Sequence, residues 1–393
     1  MDYGVLIFAL VTKKIQTMST TTTSQAVEEG RRPIDVATMC SGTEAPLFAL
    51  REAGIPYRHV FAAETSKDAC HFIQANFSPE KLYGDITELN LDTLPRVDLL
   101  VAGPPCQSFS CMNAHRLDAL DPRVQVLKCC LEYIRLREPT TAIIENVPQL
   151  RKYWSIEPTS HGDDAFTRSW VAEIAPIISQ LKGCYSILKQ VLSPHTHANC
   201  PQSRRRLYMI FRKHDAGGLV PLEQVPCNST YRDILDDGVV DHEVTPHIRR
   251  EIMKAWGKYG SEWHGCGIDC ASTFGRTILG TRKYLYRSYA RCLIAKQPSF
   301  VIEQQRFLTR AEMLRLQGFP QEVISSFLSF HKFSRLVGNA MHVGVLKQLF
   351  VHCCQFSSVG TSRAMPMRLP VAQQRLQQPT PIRRSASAPA LCY

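Results

Sequence analysis

Short apolar runs alternate with longer amphipathic stretches from residue 33 onward. The apolar runs have the length of buried strands and lie at residues 34–39, 60–63, 98–102 and 141–144. The stretches between them place apolar residues at helical spacing and cover residues 46–54, 67–76 and 124–137. This alternation predicts an α/β fold in which helices cover both faces of a parallel sheet.

Composition and periodicity divide the chain further. We predict a disordered segment at residues 1–32, a first α/β part at 33–211, a smaller separate domain at 212–303, a return of the α/β part at 304–358 and a disordered basic tail at 359–393. The smaller domain has weak periodicity and many glycine, tyrosine and basic residues. The tail carries no acidic residue and is rich in proline, glutamine, serine and arginine, a composition that does not bury a core.

Charge and cysteine usage narrow the class of protein. The net charge is +11, which favours a polyanionic partner. The apolar stretch at residues 3–11 is too short to cross a bilayer and lacks signal-peptide features, so we expect no membrane partner, and Met18 is an alternative start. The 15 cysteines form no paired metal knuckles, and His264, Cys266 and Cys270 lack a fourth ligand at a familiar spacing. We therefore predict no metal and a reducing compartment.

Polar clusters follow four of the predicted strands directly. They lie at residues 40–46, 64, 103–108 and 145–148. Because ligands bind at the carboxyl ends of parallel strands, we expect these clusters to form one site at a single edge of the sheet.

The cluster at residues 103–108 carries a candidate nucleophile. Pro104 and Pro105 fix the backbone and remove two amide donors, so they set the direction of the Cys106 side chain. A thiolate is a strong nucleophile when its pKa is lowered or a base lies near it. A buried and inert cysteine is the alternative interpretation.

Several motifs follow one another along the chain. They are GPPCQSFS at 103–110, IENVP at 144–148, QSRRR at 202–206, RFLT with RLQGFP between 306 and 320, and GN at 338–339. In this order they resemble the motifs of the cytosine carbon-5 DNA methyltransferase family. The resemblance implies a Rossmann-like methyltransferase sheet with a small inserted target recognition domain at 212–303, and it implies S-adenosylmethionine as the cofactor.

The resemblance also implies a covalent mechanism. Cys106 adds to carbon 6 of a cytosine, which makes carbon 5 nucleophilic, and Glu145 donates a proton or a hydrogen bond to ring N3. Arg204 and Arg206 stabilise charge near the base and its phosphate, with Arg206 the closer contact to the base. A helix N-cap or surface acid for Glu145 and a solvated basic run at 204–206 are the alternative interpretations.

The cofactor pocket is placed at the first two strand ends. We assign to it Ser41, Gly42, Thr43, Glu64, Asp85, Ile86, Pro104 and Asn339. Glu64 follows the second strand, where an acid commonly binds ribose hydroxyls, and Asp85 is the candidate for the adenine amino group.

The chain departs from the family pattern in this turn. The usual sequence is F-x-G-x-G, and this chain has Cys40, Gly42 and Glu44 at the matching places. The missing aromatic residue would pack on adenine, and the missing glycine permits close approach, so the change bears on cofactor affinity and pose. Ala311 replaces an arginine, and residues 340–342 replace the commoner S-V-P.

Nucleic-acid contacts are expected from two regions. The cytosine must leave the stacked duplex to react, and Gln107 and Ser108 lie on the loop that would fill the gap or hold phosphate. Residues 271–302 contain no acid and interleave basic residues with tyrosines, which suits phosphates and bases. From this stretch we assign Arg276, Arg282, Lys283 and Arg287. A solvated basic face is the alternative.

Three functions compete at this stage. DNA is the favoured substrate. A tRNA-methylating branch shares the catalytic motifs, but its C-F-T signature is matched only loosely at residues 270–276. A non-catalytic scaffold that binds nucleic acid is the third, and the intact chemistry-bearing residues argue against it. We expect a monomer that acts on DNA, with RNA as the alternative partner, in the nucleus or otherwise in an organelle.

Overall fold

The computed structural model describes most of the central part of the chain. It covers residues 32–109, 121–157, 165–240, 244, 246, 249–250, 267–269, 285–286, 289–293, 299–301 and 304–354. The predicted disordered tail and nearly all of the predicted disordered N-terminal segment lie outside these residues. So do Arg276, Arg282, Lys283 and Arg287, and the cluster of His264, Cys266 and Cys270.

The strands form one large sheet and two small ones. They are β1 (Ile34–Met39), β2 (Tyr57–Ala63), β3 (Lys81–Tyr83), β4 (Leu99–Ala102), β5 (Thr141–Asn146), β6 (Tyr185–Leu192), β7 (Gln202–Ser203), β8 (Arg206–Lys213), β9 (Gly267–Asp269), β10 (Leu285–Tyr286), β11 (Ala290–Arg291), β12 (Ser299–Val301) and β13 (Arg306–Phe307). The large sheet has seven strands in the order β3-β2-β1-β4-β5-β8-β6. The predicted α/β fold class is therefore confirmed, and each predicted strand is present.

One strand of the large sheet runs against the others. β8 lies between β5 and β6 and is antiparallel to both, while β1 to β5 pair in parallel. The prediction of a parallel sheet is wrong for this strand. The connection from β6 to β8 contains only a four-residue helix and β7, so the chain turns back instead of crossing over through a long helix.

Helices cover the large sheet and match the periodic stretches of the sequence. They are α1 (Ala45–Glu52), α2 (Lys67–Asn76), α3 (Pro122–Arg137), α4 (Arg151–Trp154), α5 (Ala165–Glu173), α6 (Ala175–Cys184), α7 (Pro194–His197), α8 (Arg310–Leu316), α9 (Phe330–Asn339) and α10 (Val343–Gln348). Local signals fix their starts. Ser66 caps α2 by accepting from the amide of Ala69, and Thr309 and Glu312 form a capping box at α8.

The large sheet has a hydrophobic core on each face because successive residues of a strand point to opposite sides. Val36 and Ile210 face a core that includes α1, α9 and α10. Ala37 and Met209 face a second core that includes α3 and α6. The late helix α10 packs directly against the early helix α1. Residues near 343–348 therefore complete the core beneath the first strand-end cluster.

The small sheets involve the segment predicted as a separate domain. β11 pairs in parallel with β7, and β9, β10, β12 and β13 form a four-stranded sheet. Since β13 lies beyond residue 303, this sheet joins the segment to the returning α/β part. The domain boundaries stay predictions. Within the described residues, each helix is too short or too polar to cross a membrane.

Candidate active site

The segment that carries Cys106 leaves the end of β4 in close contact with the end of β1. The amide of Gly103 donates to the carbonyl of Met39 over 2.9 Å. A Cβ at Gly103 would lie 2.8 Å from Met341 Cε and 3.0 Å from the Cys40 carbonyl oxygen. Only glycine allows this approach, which brings the predicted nucleophile loop against the predicted cofactor turn.

A buried amide of β5 holds the same segment from the other side. Asn146 is 1% exposed, and its Nδ2 donates to the Pro104 carbonyl oxygen over 3.1 Å. Its Oδ1 accepts from the amide of Val147 over 2.9 Å. Pro104 is buried beneath this contact and Cys106 is half-buried. Asn146 thus fixes the backbone two residues before the thiol.

Beyond Cys106 the loop divides between exposed and anchored residues. Gln107 is exposed. Ser108 is buried, and its hydroxyl donates to Asp121 Oδ2 over 2.8 Å. Arg123 binds the same carboxylate and, as the largest cause, lowers the pKa of Asp121 to about 2. Ser108 is therefore held inside the protein at the start of α3, and its assignment to nucleic acid stays a prediction, as does that of Gln107.

Glu145 and Arg206 meet on adjacent strands. Glu145 in β5 is 8% exposed, and Arg206 opens β8. Arg206 Nε lies 3.2 Å from Glu145 Oε1, but this oxygen has no aligned hydrogen-bond donor among the described residues. Burial raises the pKa of Glu145, although the charges of Arg206 and Arg204 oppose that rise. The carboxyl group consequently keeps its proton to higher pH than an ordinary glutamate.

Cys106 belongs to the same electrostatic cluster. Burial raises the pKa of its thiol and the charge of Glu145 raises it further, whereas Arg206 and Arg204 lower it. The thiol is therefore protonated in the free protein at neutral pH. Formation of the thiolate therefore needs a group that accepts the thiol proton, or additional positive charge near the sulfur.

Arg204 is engaged with the protein backbone. It is 3% exposed, and its guanidinium donates to the carbonyl oxygens of Leu293, Gly338 and Ala340 over 3.0, 3.1 and 2.7 Å. These contacts join the residues between β7 and β8 to the 289–293 segment and to the end of α9. The structure thus gives Arg204 a connecting role beside its predicted part in catalysis, which stays a prediction.

The predicted cofactor turn lies between β1 and α1. Gly42 has a φ of 65°, and its amide donates to Glu64 Oε2 over 3.2 Å. The other oxygen of Glu64 accepts from the amides of Thr65 and Ser66, each over 2.9 Å. Ser41 and Thr43 are buried within the turn. Glu64 therefore lies across the turn from Gly42, at the end of the neighbouring strand.

Glu44 introduces a buried carboxyl group directly beneath this turn. It is fully buried with a φ of 53°, a left-handed conformation that normally favours glycine. Thr38 Oγ1 donates to Glu44 Oε1 over 2.8 Å and lies 3.2 Å from His59 Nε2. Burial raises the pKa of Glu44 to about 7, against the hydrogen bonds from Thr38 and Ser41. The residue that replaces a family glycine is thus bound into the core.

The remaining predicted cofactor residues occupy different environments. Asp85 is half-buried and accepts from the amide and hydroxyl of Thr87 over 2.9 and 2.8 Å. Ile86 is buried in the core beside it. Asn339 ends α9 and is exposed. Glu64 and Asp85 follow the adjacent strands β2 and β3, whereas Asn339 lies at the end of α9.

The donor set suits an adenosyl amino acid. Glu64 and Asp85 supply carboxylate acceptors at neighbouring strand ends, where hydroxyl and amino groups of such a ligand need partners. Thr43 Oγ1 is buried without a hydrogen-bond partner among the described residues, so the turn still offers a polar group. The close contact between Gly103 and Cys40 places the Cys106 segment beside this turn. The residues therefore fit S-adenosylmethionine.

Sequence reasoning missed two residues of this region. Asn146 lies within the IENVP motif at 144–148, but no role is predicted for it, and none is predicted for Cys292. Arg204 Nη1 donates to Cys292 Sγ over 3.0 Å, and Arg206 Nη2 does so over 3.4 Å. Only the pairing of β7 with β11 brings Cys292 to the arginines, and nothing in the linear sequence indicates that pairing.

A family model and individual relatives point to the same protein family. The family model for "C-5 cytosine-specific DNA methylase" matches residues 34–355. The Type II methyltransferase M.DsaV of Dactylococcopsis salina is 27% identical over 297 residues, which is 74% of this chain and 78% of that protein. The DNA (cytosine-5-)-methyltransferase DMT5 of Cryptococcus neoformans is 32% identical over 139 residues, which is 30% of this chain and 6% of that protein.

A solved structure gives a matching fold. The crystal structure of the S. pombe Dnmt2 methyltransferase aligns with a TM-score of 0.55 and 20% identity, over 81% of this chain and 97% of that one. At this identity the similarity concerns the fold alone.

Proposed function

The chain belongs to the C-5 cytosine-specific DNA methylase family, and we propose that it transfers a methyl group to carbon 5 of cytosine in DNA through a covalent bond to Cys106. The family membership confirms the resemblance predicted from the motifs, and the cofactor of this family is S-adenosylmethionine. The observation that carries the proposal is geometric: Arg206 Nε lies 3.2 Å from Glu145 Oε1, and the close approach of Gly103 to Cys40 holds the Cys106 segment against the predicted cofactor turn.

The side chains divide the reaction between them. Cys106 forms a bond to carbon 6, and Glu145, whose raised pKa keeps its proton, donates to ring N3. Arg206 stabilises the charge that develops on the base. When bound, S-adenosylmethionine supplies the methyl group as a sulfonium. The thiol proton of Cys106 passes to solvent before the bond to carbon 6 forms, and carbon 5 then takes the methyl group. Its own proton passes to solvent, which restores the double bond between carbons 5 and 6 and expels the Cys106 thiolate.

The cofactor contacts follow from the strand ends. Glu64 would hold the ribose hydroxyls, Asp85 would hold the adenine amino group, and the turn at 41–43 would hold the amino-acid part. Ile86, Pro104 and Asn339 complete the proposed pocket. The support for Glu64 is its position across the turn from Gly42, with a carboxylate that retains acceptor capacity.

A DNA substrate implies an extruded cytosine, because both reacting carbons are covered in a stacked duplex. Gln107 and Ser108 are the proposed nucleic-acid contacts on the loop that carries Cys106. Arg276, Arg282, Lys283 and Arg287 are the proposed phosphate contacts of the recognition segment. The net charge of +11 supports a polyanionic substrate. Binding should weaken steeply as salt rises.

The deciding experiment offers labelled S-adenosylmethionine with duplex DNA and, separately, with total tRNA. Label in DNA supports the proposal, and label in tRNA alone would replace it by the RNA-directed alternative. DNA that contains 5-fluorocytosine should form a denaturation-resistant complex with the protein. A protein that binds DNA without either result would be the non-catalytic scaffold.

Variants assign the nucleophile. Cys106→Ala should abolish both transfer and trapping while cofactor binding stays nearly unchanged. Cys227→Ala is the matched control, since Cys227 is half-buried and its thiol donates to the Ser229 carbonyl. Trapping that survives in Cys106→Ala would remove Cys106 from the mechanism.

We also propose that the protein is a monomer that acts in the nucleus as part of epigenetic marking. The support is the basic charge and the relative from a eukaryote, DMT5 of Cryptococcus neoformans. A fluorescent fusion that stays outside the nucleus would contradict the location. Light scattering at assay concentration tests the monomer, and a dimer mass would contradict it.

A further inference from the structure

Cys292 lies at the junction between the proposed recognition segment and the catalytic cluster. β11 pairs in parallel with β7, and the amide of Ala290 donates to the Pro201 carbonyl over 2.6 Å. Cys292 follows β11 directly, and Arg204 follows β7. The pairing therefore brings a sulfur atom of one segment to the arginines of the other.

The sulfur is a shared acceptor for both arginines. Arg204 Nη1 lies 3.0 Å and Arg206 Nη2 lies 3.4 Å from Cys292 Sγ. Cys292 Sγ also lies 3.3 Å from the Leu293 carbonyl oxygen, to which a thiol proton can be donated. A hydrogen bond from a guanidinium is charge-assisted and stronger than a neutral one.

The guanidinium of Arg206 divides its nitrogens between three neighbouring groups. Arg206 uses Nη1 to donate to the Arg205 carbonyl over 2.8 Å and Nη2 to donate to the sulfur. Nε of the same guanidinium lies 3.2 Å from Glu145 Oε1, without hydrogen-bond alignment. An unrestrained guanidinium would form a bidentate pair with the carboxylate, which is the favoured geometry for these two groups.

We propose that Cys292 is a positioning residue, whose sulfur keeps Arg206 from closing onto Glu145 and thereby leaves the Glu145 carboxyl free to donate to the cytosine. This inference rests on the proposed function. It would also couple the proposed recognition segment to the reaction, because residues 289–293 carry the sulfur to the arginines.

The charges around the cluster favour this arrangement. Burial raises the pKa of Cys292, but Arg204 and Arg206 outweigh it and hold that pKa below its ordinary value. Among the described residues, Tyr208 and His342 also face this cluster, and both stay neutral because burial raises the pKa of Tyr208 and lowers the pKa of His342 to about 3. Within this cluster the pKa of Cys292 thus lies below its ordinary value, whereas the pKa values of Glu145 and Cys106 lie above theirs.

The first test does not depend on activity. Iodoacetamide labelling across a pH series, with peptide mass mapping, gives an apparent pKa for each thiol. We expect the Cys292 value to lie below that of Cys227, whose pKa is raised by burial, and to rise in Arg206→Met. A Cys292 value equal to or above that of Cys227 would overturn the proposal.

The second test is the pH dependence of turnover. Cys292→Ala allows Arg206 to pair fully with Glu145, which lowers the Glu145 pKa. The loss of kcat on the alkaline side should therefore move to lower pH, with a fall of roughly ten-fold at neutral pH and an unchanged KM for S-adenosylmethionine. Cys292→Ser, which keeps a neutral acceptor, should recover part of the loss, and Cys227→Ala should match the wild type.

The outcomes distinguish a failure of the positioning role of Cys292 from a failure of the proposed methyltransferase function. A kcat loss in Cys292→Ala that is equal at each pH, or no loss, would overturn the positioning role. If Cys292→Ala does not fold, the serine variant and the labelling of the wild type still decide. A wild-type protein that transfers no methyl group to DNA or tRNA would overturn the proposed function, whereas the labelling result would still decide the sulfur–guanidinium contact.

Discussion

Asn146 Nδ2 donates a hydrogen bond to the carbonyl oxygen of Pro104 over 3.1 Å, and this contact connects the end of β5 to the backbone before Cys106. Glu145 precedes Asn146 on the same strand. The general acid candidate and the support of the nucleophile are therefore adjacent residues whose side chains leave the strand on opposite sides. The spacing between Cys106 and Glu145 depends on this one strand end.

Removing that contact should lower both stability and turnover. Asn146→Ala leaves the buried Pro104 carbonyl without a partner, which costs about 1–3 kcal/mol of unfolding free energy. The misplaced thiol should lower kcat by roughly 100-fold. Asn76→Ala, which removes an amide bonded to the Ile324 carbonyl far from this loop, is the control. Chemical denaturation and single-turnover methyl transfer measure the two effects, and an unaltered kcat would refute the role.

Gly103→Ala should disturb the approach of the Cys106 segment to the cofactor turn. The new methyl group meets Met341 Cε at 2.8 Å and the Cys40 carbonyl at 3.0 Å. Met341→Ala should relieve only the side-chain clash, so the double variant should recover stability partly. Gly84→Ala, where a Cβ meets nothing within 4 Å, is the matched control. Thermal melting and cofactor titration measure the two effects. Equal melting temperatures and equal cofactor affinities for Gly103→Ala and Gly84→Ala would contradict this account.

Glu44 should make stability depend on pH in an unusual direction. Its pKa is about 7 in the folded chain against an ordinary value of 4.5, so the folded state binds the proton more tightly. Stability from this proton is full below pH 4.5 and is lost as pH rises toward 7, a total of about 3 kcal/mol.

Glu44→Gln should remove this dependence. The difference in unfolding free energy between wild type and variant, measured by urea denaturation from pH 5 to 8, should change steadily in favour of the variant. Glu88→Gln, an exposed residue, should leave the wild-type pH profile intact. A constant difference between wild type and Glu44→Gln would mean that Glu44 titrates as an ordinary carboxylate.

Glu64→Gln should weaken cofactor binding. The charged acceptor at the end of β2 becomes a neutral amide, and a hydrogen bond to a charged group contributes about 1.5–3 kcal/mol, or roughly 10- to 100-fold in affinity. Isothermal titration with S-adenosylmethionine measures the loss, with Glu88→Gln as the control. Equal affinities would place the ribose elsewhere.

Local signals predicted most of the sheet and the position of the site. The apolar run at 34–39 and the helix at 67–76 have the observed bounds because each is set by residues close in sequence. The motifs at 103–108 and 145–148 lie at the same sheet edge because β4 and β5 are parallel neighbours. Sequence patterns carry this information directly.

Long-range pairing supplied what the sequence did not indicate. The direction of β8 follows from how the chain returns after β6, which periodicity does not encode. Cys292 reaches Arg204 across 88 residues through two short paired strands. Glu44 appeared only as a substituted glycine, and its bond to Thr38 shows how a buried acid is accommodated there.

The packing of α10 against α1 has a consequence for biosynthesis. During translation, β1 and α1 leave the ribosome long before residues 343–348 are synthesised. The apolar face of α1 therefore stays exposed to solvent until the chain is nearly complete. A message truncated after residue 320 would encode Cys106, Glu145, Arg204 and Arg206, yet its product would lack the helix that closes the core under the cofactor turn. Such a fragment should be degraded or held by chaperones instead of acting as a partial enzyme.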